Sequence, residues 1–238
     1  MRIKTVLLDL GDTVFGLGPL PADIPDRVVG ALSQAGYGGN PALGPTIARA
    51  ARDFYIQASN AETMVEADLA ALAQSVADEM GVALTSEQSV AVESAFGAAD
   101  IGRFLGSAAC GAAVRGLRES GLRVGVVSNT TTPPGLLSRY LESIGVAAEV
   151  EAIVYSVAVG RRKPHSEIYL EALRQMNAAA ESTVFVGDRV REDVRGPISV
   201  GMRAVLTHEF RQEDPIGSGA LAVIRSLGEL PGLIAEPG

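Results

Sequence analysis

Two patterns of apolar and polar positions alternate along this chain. Short apolar runs bounded by glycine or acidic residues predict buried strands at 3–9, 122–128, 151–155, 183–187, 203–207 and 221–224. Apolar residues at helical spacing predict helices near 107–120, 134–144, 165–177 and 191–200. Strands that alternate with helices through short connections indicate a parallel sheet with right-handed crossovers.

The region between the first strand and residue 107 has only the helical pattern. Four segments, near 25–36, 43–59, 63–81 and 86–100, carry apolar residues at helical spacing, and a loop rich in proline and glycine leads into them from the first strand. The sequence therefore predicts an α/β core formed by residues 1–15 and 106–238, into which residues 16–105 are inserted as an all-helical domain.

Composition narrows the classes of partner. The net charge of −8 argues against nucleic acid or an anionic membrane surface as a partner, and no apolar stretch approaches the length of a membrane span. The single cysteine, Cys110, excludes an internal disulfide and a cysteine-rich zinc site. It fits a reducing compartment, so we expect a cytoplasmic protein. No pattern in the sequence indicates an oligomeric state.

Polar residues that could take part in catalysis or ligand binding follow the predicted strands or precede a helix. They are Asp9, the pair Ser128-Asn129, Lys163, and Asp188 with Asp193. Each alone would be an ordinary turn or cap residue, but parallel topology brings the carboxyl ends of strands to one edge of a sheet, where open α/β folds bind ligands. A lysine before a helix opposes the helix dipole at a cost of about 0.3–1 kcal/mol, so Lys163 needs an anion nearby.

In this order, the motifs resemble those of the haloacid dehalogenase-like (HAD) superfamily, and the resemblance covers nearly the whole chain. The matching features are Asp9 to Thr13, Ser128, Lys163-Pro164, Gly187-Asp188 through Asp193, and the helical insert after the first motif. The resemblance implies a Rossmann-like, doubly wound parallel sheet with a type-one (C1) helical cap.

The resemblance also implies roles for individual residues. Asp9 would attack phosphorus and form an aspartyl-phosphate, with Ser128 and Lys163 as further catalytic residues. Ser128, Asn129 and Lys163 would bind the phosphoryl group, and Asp9, the carbonyl of Gly11, Asp188 and Asp193 would bind Mg²⁺ or its water. Mg²⁺ prefers such oxygen ligands, and phosphoryl transfer depends mainly on positioning and charge neutralisation.

Gly11 departs from the family pattern. Phosphatases of the superfamily usually carry a second aspartate two residues after the nucleophile, which serves as general acid for the leaving group. Gly11 supplies no proton, and Asp12 points the other way in an extended segment unless the turn swings it round. The sequence therefore predicts a preference for leaving groups of low pKa.

These features predict a Mg²⁺-dependent phosphatase for a small phosphorylated metabolite. Two alternatives remain open, a 2-haloacid dehalogenase and a non-catalytic protein that binds phosphate and Mg²⁺. Candidate substrate contacts are Phe15, Leu17, Arg49, Arg52, Tyr55, Arg103, Arg161 and Arg162. We expect Arg189 and Arg191 to pair with acids, and His165 and His208 to bind no metal.

Overall fold

A computed structural model describes residues 2–60 and 64–234 of the chain. In chain order its elements are β1 (Thr5–Leu8), β2 (Gly16–Leu17), α1 (Ile24–Gln34), α2 (Leu43–Asn60), α3 (Leu69–Glu79), α4 (Ser86–Ile101), β3 (Phe104–Leu105), α5 (Ala108–Glu119), β4 (Arg123–Ser128), α6 (Pro134–Ser143), β5 (Ala152–Tyr155), α7 (Ser156–Val159), α8 (Ser166–Gln175), β6 (Thr183–Gly187), α9 (Gly196–Ser199), β7 (Arg203–Thr207), β8 (Ala222–Ile224) and α10 (Leu230–Ile234). A π-helical turn, Val190–Arg195, precedes α9.

The main sheet is parallel and has the strand order β5-β4-β1-β6-β7-β8. Its two faces are covered by different helices, since alternate residues of a strand face opposite sides. Val6 and Leu8 pack in the cluster that contains Val114 of α5, whereas Leu7 packs in the cluster that contains Ile168 of α8. The predicted doubly wound parallel sheet is therefore confirmed.

The register of the three central strands brings their carboxyl ends together. Leu8 of β1 lies opposite Val126 of β4 on one side and Val186 of β6 on the other. The backbone N–H of Asp9 donates to the carbonyl of Val186 at 2.9 Å. The residues that follow β1, β4 and β6 consequently lie at one edge of the sheet.

Helices α1 to α4 share an apolar cluster of their own. It joins side chains from all four helices, among them Leu32, Ile47, Val76 and Val92. We propose the domain division expected from the sequence and call residues 16–105 the cap. No helix in the described part of the chain is both long enough and apolar enough to cross a membrane.

Three secondary-structure predictions need correction. The helix predicted at 63–81 begins at Leu69, because Asp68 caps it by accepting the N–H of Ala71 at 2.9 Å. Residue 63 lies outside the described residues, and Val65 instead forms an antiparallel bridge with Arg161. The helix predicted at 191–200 is divided between the π-helical turn and α9.

The third correction concerns the insert, which also contains the short antiparallel pair β2–β3. Two residues per strand are too few to produce a period-2 pattern in the sequence.

Candidate active site

Lys163 lies at the centre of the polar cluster at the sheet edge. Its Nζ is 2.6 Å from Oδ1 of Asp9 and 2.7 Å from Oδ1 of Asp193, and all three residues are buried. Burial would lower the pKa of Lys163, but the carboxylates of Asp193 and Asp9 outweigh that effect and raise it. The amine therefore keeps its positive charge and joins the ends of β1 and β6.

Asp9, Asp188 and Asp193 form a cluster of carboxylates suited to a divalent cation. One oxygen from each lies within 4.8 Å of the others. Burial raises the pKa of Asp9 to about 7, with Lys163 opposing the shift and the other two carboxylates adding to it. Burial and the charge of Asp193 raise the pKa of Asp188 to about 6. Because closely spaced carboxylates repel one another, a bound cation would favour their ionised forms.

Local structure after β6 explains how Asp193 reaches Lys163. The π-helical turn lets Oδ2 of Asp193 accept the N–H of Arg189 at 3.0 Å, while Oδ1 faces Lys163. A Cβ on Gly187 would overlap the Asp193 side chain, so this strand end requires glycine. The five-residue spacing from Asp188 to Asp193 thus places both carboxylates at the same end of β6.

Asn129 connects the loop after β4 to Lys163. Its Oδ1 accepts the Lys163 N–H at 2.7 Å, and its Nδ2 donates to the Lys163 carbonyl at 3.1 Å. Ser128 is buried at the end of β4, one strand away from Asp9. The residues predicted to bind a phosphoryl group therefore surround the same strand ends as the carboxylates.

In the segment after Asp9, the apolar side chain of Leu17 lies where a side chain at residue 11 would project. A Cβ on Gly11 would lie 2.8 Å from Cδ1 of Leu17. Asp12 adopts a φ of 56°, and its Oδ1 accepts the Leu17 N–H at 2.9 Å. Phe15 is buried against the rings of Phe104 and Tyr140, so it packs at the junction with the cap. Asp12 acts here as a turn residue.

Three of the five arginines proposed as substrate contacts lie beside acidic side chains. The Arg162 guanidinium is paired with Glu66 at 2.9 Å, and its Cζ lies 5.3 Å from the centre of the Tyr55 ring. Arg103 bonds to Asp100 at 2.6 Å, and Arg161 lies 3.9 Å from Glu167. Arg49 and Arg52 are exposed on α2.

As expected, Arg189 and Arg191 lie near acids, with Nε of Arg189 4.0 Å from Asp188 and Nη1 of Arg191 3.8 Å from Glu192.

His165 caps α8 by accepting the Glu167 N–H, and a ring nitrogen of His208 lies 2.9 Å from the carbonyl of Glu213. Neither histidine belongs to the metal-type cluster found in the described residues.

Sequence reasoning missed Arg211. Its Nη1 donates to Oδ2 of Asp188 at 3.0 Å and lies 3.4 Å from Glu213. Arg211 follows β7, whose carboxyl end is at the same sheet edge as the carboxylates. That topological position is the signal that could have identified it.

A profile of the family described as haloacid dehalogenase-like hydrolase matches residues 3–201, which contain every residue of the cluster except Arg211. The chain belongs to this family. The resemblance inferred from Asp9, Ser128, Lys163 and Asp188 is therefore confirmed.

Two curated relatives of this haloacid dehalogenase-like hydrolase are phosphatases. It is 35% identical over 95 residues to a glyceraldehyde 3-phosphate phosphatase of Methanothermobacter thermautotrophicus, which covers 39% of this chain and 40% of the relative. It is 29% identical over 127 residues to a ribulose-1,5-bisphosphate 5-phosphatase of Halopiger xanaduensis, covering 50% and 52%. The matched part of the chain thus spans about half the length of these relatives, or less.

Similarity to solved structures extends over nearly the whole chain. A 2-haloacid dehalogenase of Pseudomonas syringae pv. Tomato superposes with a TM-score of 0.65 over 98% of both chains, at 21% identity. At this identity the match shows a common fold, including the helical insert.

Proposed function

We propose that this protein is a Mg²⁺-dependent phosphatase that acts on a small phosphorylated metabolite through an aspartyl-phosphate on Asp9. The observation that supports the proposal most directly is the contact of Lys163 Nζ with both Asp9 and Asp193. The buried Lys163 ammonium group lies between the proposed nucleophile and a carboxylate proposed to bind the metal or its water. It can therefore neutralise the negative charges of the nucleophile and the phosphoryl oxygens as they approach each other.

In the proposed reaction, one carboxylate oxygen of Asp9 forms a bond to phosphorus while the bond from phosphorus to the leaving oxygen breaks. The electron pair of that bond goes to the leaving oxygen. Ser128 and the amides near Asn129 hold the transferring phosphoryl oxygens, and Lys163 neutralises them. Water then attacks phosphorus, and the bond to Asp9 breaks with its electron pair returning to the carboxylate. The protons of the water stay with the inorganic phosphate that leaves, and an alkoxide released in the first step takes its proton from solvent.

The donor set fits Mg²⁺. Mg²⁺ in phosphoryl-transfer sites is bound by a few hard oxygen donors. The ion or its water would be held here by the carboxylates of Asp9, Asp188 and Asp193 and by the Gly11 carbonyl. The ion would supply positive charge against the phosphate oxygens. Its charge would also offset the repulsion among the three carboxylates.

The two curated relatives, a glyceraldehyde 3-phosphate phosphatase and a ribulose-1,5-bisphosphate 5-phosphatase, support a phosphorylated metabolite as the substrate class. The half-buried Cys110 has no disulfide partner, and we expect the protein to work in the cytoplasm, where thiols stay reduced. Phosphatase action on a soluble metabolite agrees with this expectation.

A 2-haloacid dehalogenase is the second candidate, because Gly11 leaves the site without the usual general acid and dehalogenation requires none. The cluster of Asp9, Asp188 and Asp193 favours the phosphatase, since dehalogenation has no need for a metal-type site. A phosphate-binding protein without turnover is the third candidate.

The decisive experiment replaces Asp9 with asparagine. We expect Asp9→Asn to abolish Mg²⁺-dependent release of p-nitrophenol from p-nitrophenyl phosphate, while Mg²⁺ still raises the melting temperature. Asp78→Asn is the matched control, because Asp78 is an exposed residue of the cap. Retained turnover in Asp9→Asn would exclude Asp9 as nucleophile. Fluoride release from fluoroacetate in EDTA, with no phosphate release, would identify the dehalogenase, and phosphate binding without either activity would identify the binding protein.

A further inference from the structure

An extended segment of the cap is joined to the segment that carries Lys163. The Arg162 N–H donates to the carbonyl of Met64 at 2.8 Å, and the Glu66 N–H donates to the carbonyl of Gly160 at 3.2 Å. These bonds flank the bridge between Val65 and Arg161. The backbone that leads into Lys163 is therefore held by the cap as well as by the core.

Glu66 is the buried acid at this junction, with 1% of its side chain exposed. Its Oε1 accepts from Nη1 of Arg162 and from the N–H of Ala67, each at 2.9 Å, and its Oε2 accepts from the Ser156 hydroxyl at 2.5 Å. Buried ion pairs are often no more stabilising than apolar residues of the same volume. A role in fixing the position of neighbouring groups is therefore a better explanation for this pair than stability alone.

Ser156 extends the contact to the loop after β4. Its Oγ accepts the N–H of Thr130 at 2.8 Å, while its hydroxyl donates to Glu66. Thr130 follows Asn129, which is bonded to the backbone of Lys163. One cap carboxylate thus contacts, through Arg162 and through Ser156, both segments that border the phosphoryl site.

We propose that Glu66 is a positioning residue for phosphoryl transfer: it holds the 128–132 loop and the 160–163 segment in their catalytic arrangement when the cap lies on the core. The proposal rests on the phosphatase function proposed above. Glu66 belongs to the cap, and the hydrogen bonds of its carboxylate go to Arg162, Ala67 and Ser156. None of these groups is one of the three clustered carboxylates, so loss of Glu66 should disturb the phosphoryl site more than the metal site.

The test compares Glu66→Gln, Ser156→Ala and Glu149→Gln with the wild type. Glu149 is the matched control, because it is also a buried carboxylate paired with arginines (Arg115 and Arg118) but lies before the amino end of β5, at the opposite edge of the sheet. Ser156→Ala removes the hydrogen bonds that connect Glu66 to Thr130 through the Ser156 hydroxyl, and it keeps the ion pair between Glu66 and Arg162. It serves as the second variant if Glu66→Gln does not fold.

We expect Glu66→Gln to lower kcat for p-nitrophenyl phosphate about 10²-fold, the scale of a misplacement near 1 Å, while the Mg²⁺ dissociation constant stays within about threefold of wild type. Amide exchange should become about tenfold faster at 128–132 and 160–163 in Glu66→Gln, but only at 128–132 in Ser156→Ala. Glu149→Gln should lower the melting temperature without changing kcat or exchange at either segment.

Two results would overturn the proposal: wild-type kcat in folded Glu66→Gln, or exchange at both segments that is as slow in Glu66→Gln as in wild type. A Mg²⁺ affinity that falls as far as kcat would also overturn it, because that would indicate a general distortion of the site. If the wild type has no activity, the proposed phosphatase function fails, and the exchange data still decide whether Glu66 orders the two segments.

Discussion

Restoring a carboxylate at residue 11 should change which leaving groups the site accepts. Gly11 has no side chain, and Leu17 covers the side on which a Cβ would project. The Asp12 carboxylate is bonded to the Leu17 N–H. We therefore expect wild-type activity to fall steeply as the pKa of the leaving group rises, and Gly11→Asp combined with Leu17→Ala to reduce that dependence.

The magnitude follows from two opposing effects. A well-placed general acid contributes about 10²–10⁴-fold, equivalent to about 3–5 kcal/mol in the transition state. In Gly11→Asp alone, the new Cβ would lie 2.8 Å from Cδ1 of Leu17. Leu17 would have to retreat by about 1 Å to reach ordinary contact distance, and such overpacking costs about 1–3 kcal/mol. Leu17→Ala removes this conflict, so the double variant should show the larger gain.

The assay measures kcat/KM with Mg²⁺ for p-nitrophenyl phosphate, phenyl phosphate and glycerol phosphate. The double variant should gain about 10²-fold or more on glycerol phosphate and little on p-nitrophenyl phosphate, because p-nitrophenolate leaves without a proton. Leu17→Ala alone is the control for the space that is opened. An equal gain on all three substrates would contradict general acid catalysis by the new carboxylate.

Asp12→Asn supplies the result that would refute this reasoning. Asparagine keeps an oxygen for the Leu17 N–H and tolerates the positive φ of residue 12, so we expect wild-type activity within about threefold. A loss of about 10²-fold on glycerol phosphate alone would identify Asp12 as the general acid, which would then have to leave Leu17 during the reaction.

Two further predictions concern the charges of the cluster. Lys163→Met leaves the carboxylates of Asp9 and Asp193 without their cation. We therefore expect the free energy of unfolding, measured with urea in EDTA near pH 7, to fall by about 3–5 kcal/mol and to recover in part with Mg²⁺. An unchanged free energy of unfolding would contradict the ion pairs. Because burial raises the pKa of Asp9 to about 7 and of Asp188 to about 6, the folded protein binds protons more tightly than the unfolded chain does. The free energy of unfolding of the metal-free protein should therefore fall between about pH 4 and pH 8, as urea titrations can measure, and an increase over that range would exclude the effect.

Much of the fold could be predicted because local sequence carries its signals. Alternating strand and helix patterns sufficed for the parallel sheet, since the strands are apolar on both faces and the helices on one. The same patterns predicted that Asp9, Ser128 and Asp188 lie at one edge of the sheet, because parallel topology brings the carboxyl ends of the strands to the same edge. Lys163 was predictable because a cation before a helix requires a nearby anion.

The remaining features depend on contacts between segments that are distant in the chain. No local preference of Met64 to Glu66 indicates that they pair with 160–162 rather than extend α3, and no spacing connects Glu66 to Arg162 and Ser156. Sequence revealed that residue 11 lacks a carboxylate, but only tertiary packing placed Leu17 against it and Arg211 against Asp188. Periodicity reports which face of an element is buried, whereas the choice among buried partners is made by the shape and charge of surfaces that meet only in the folded chain.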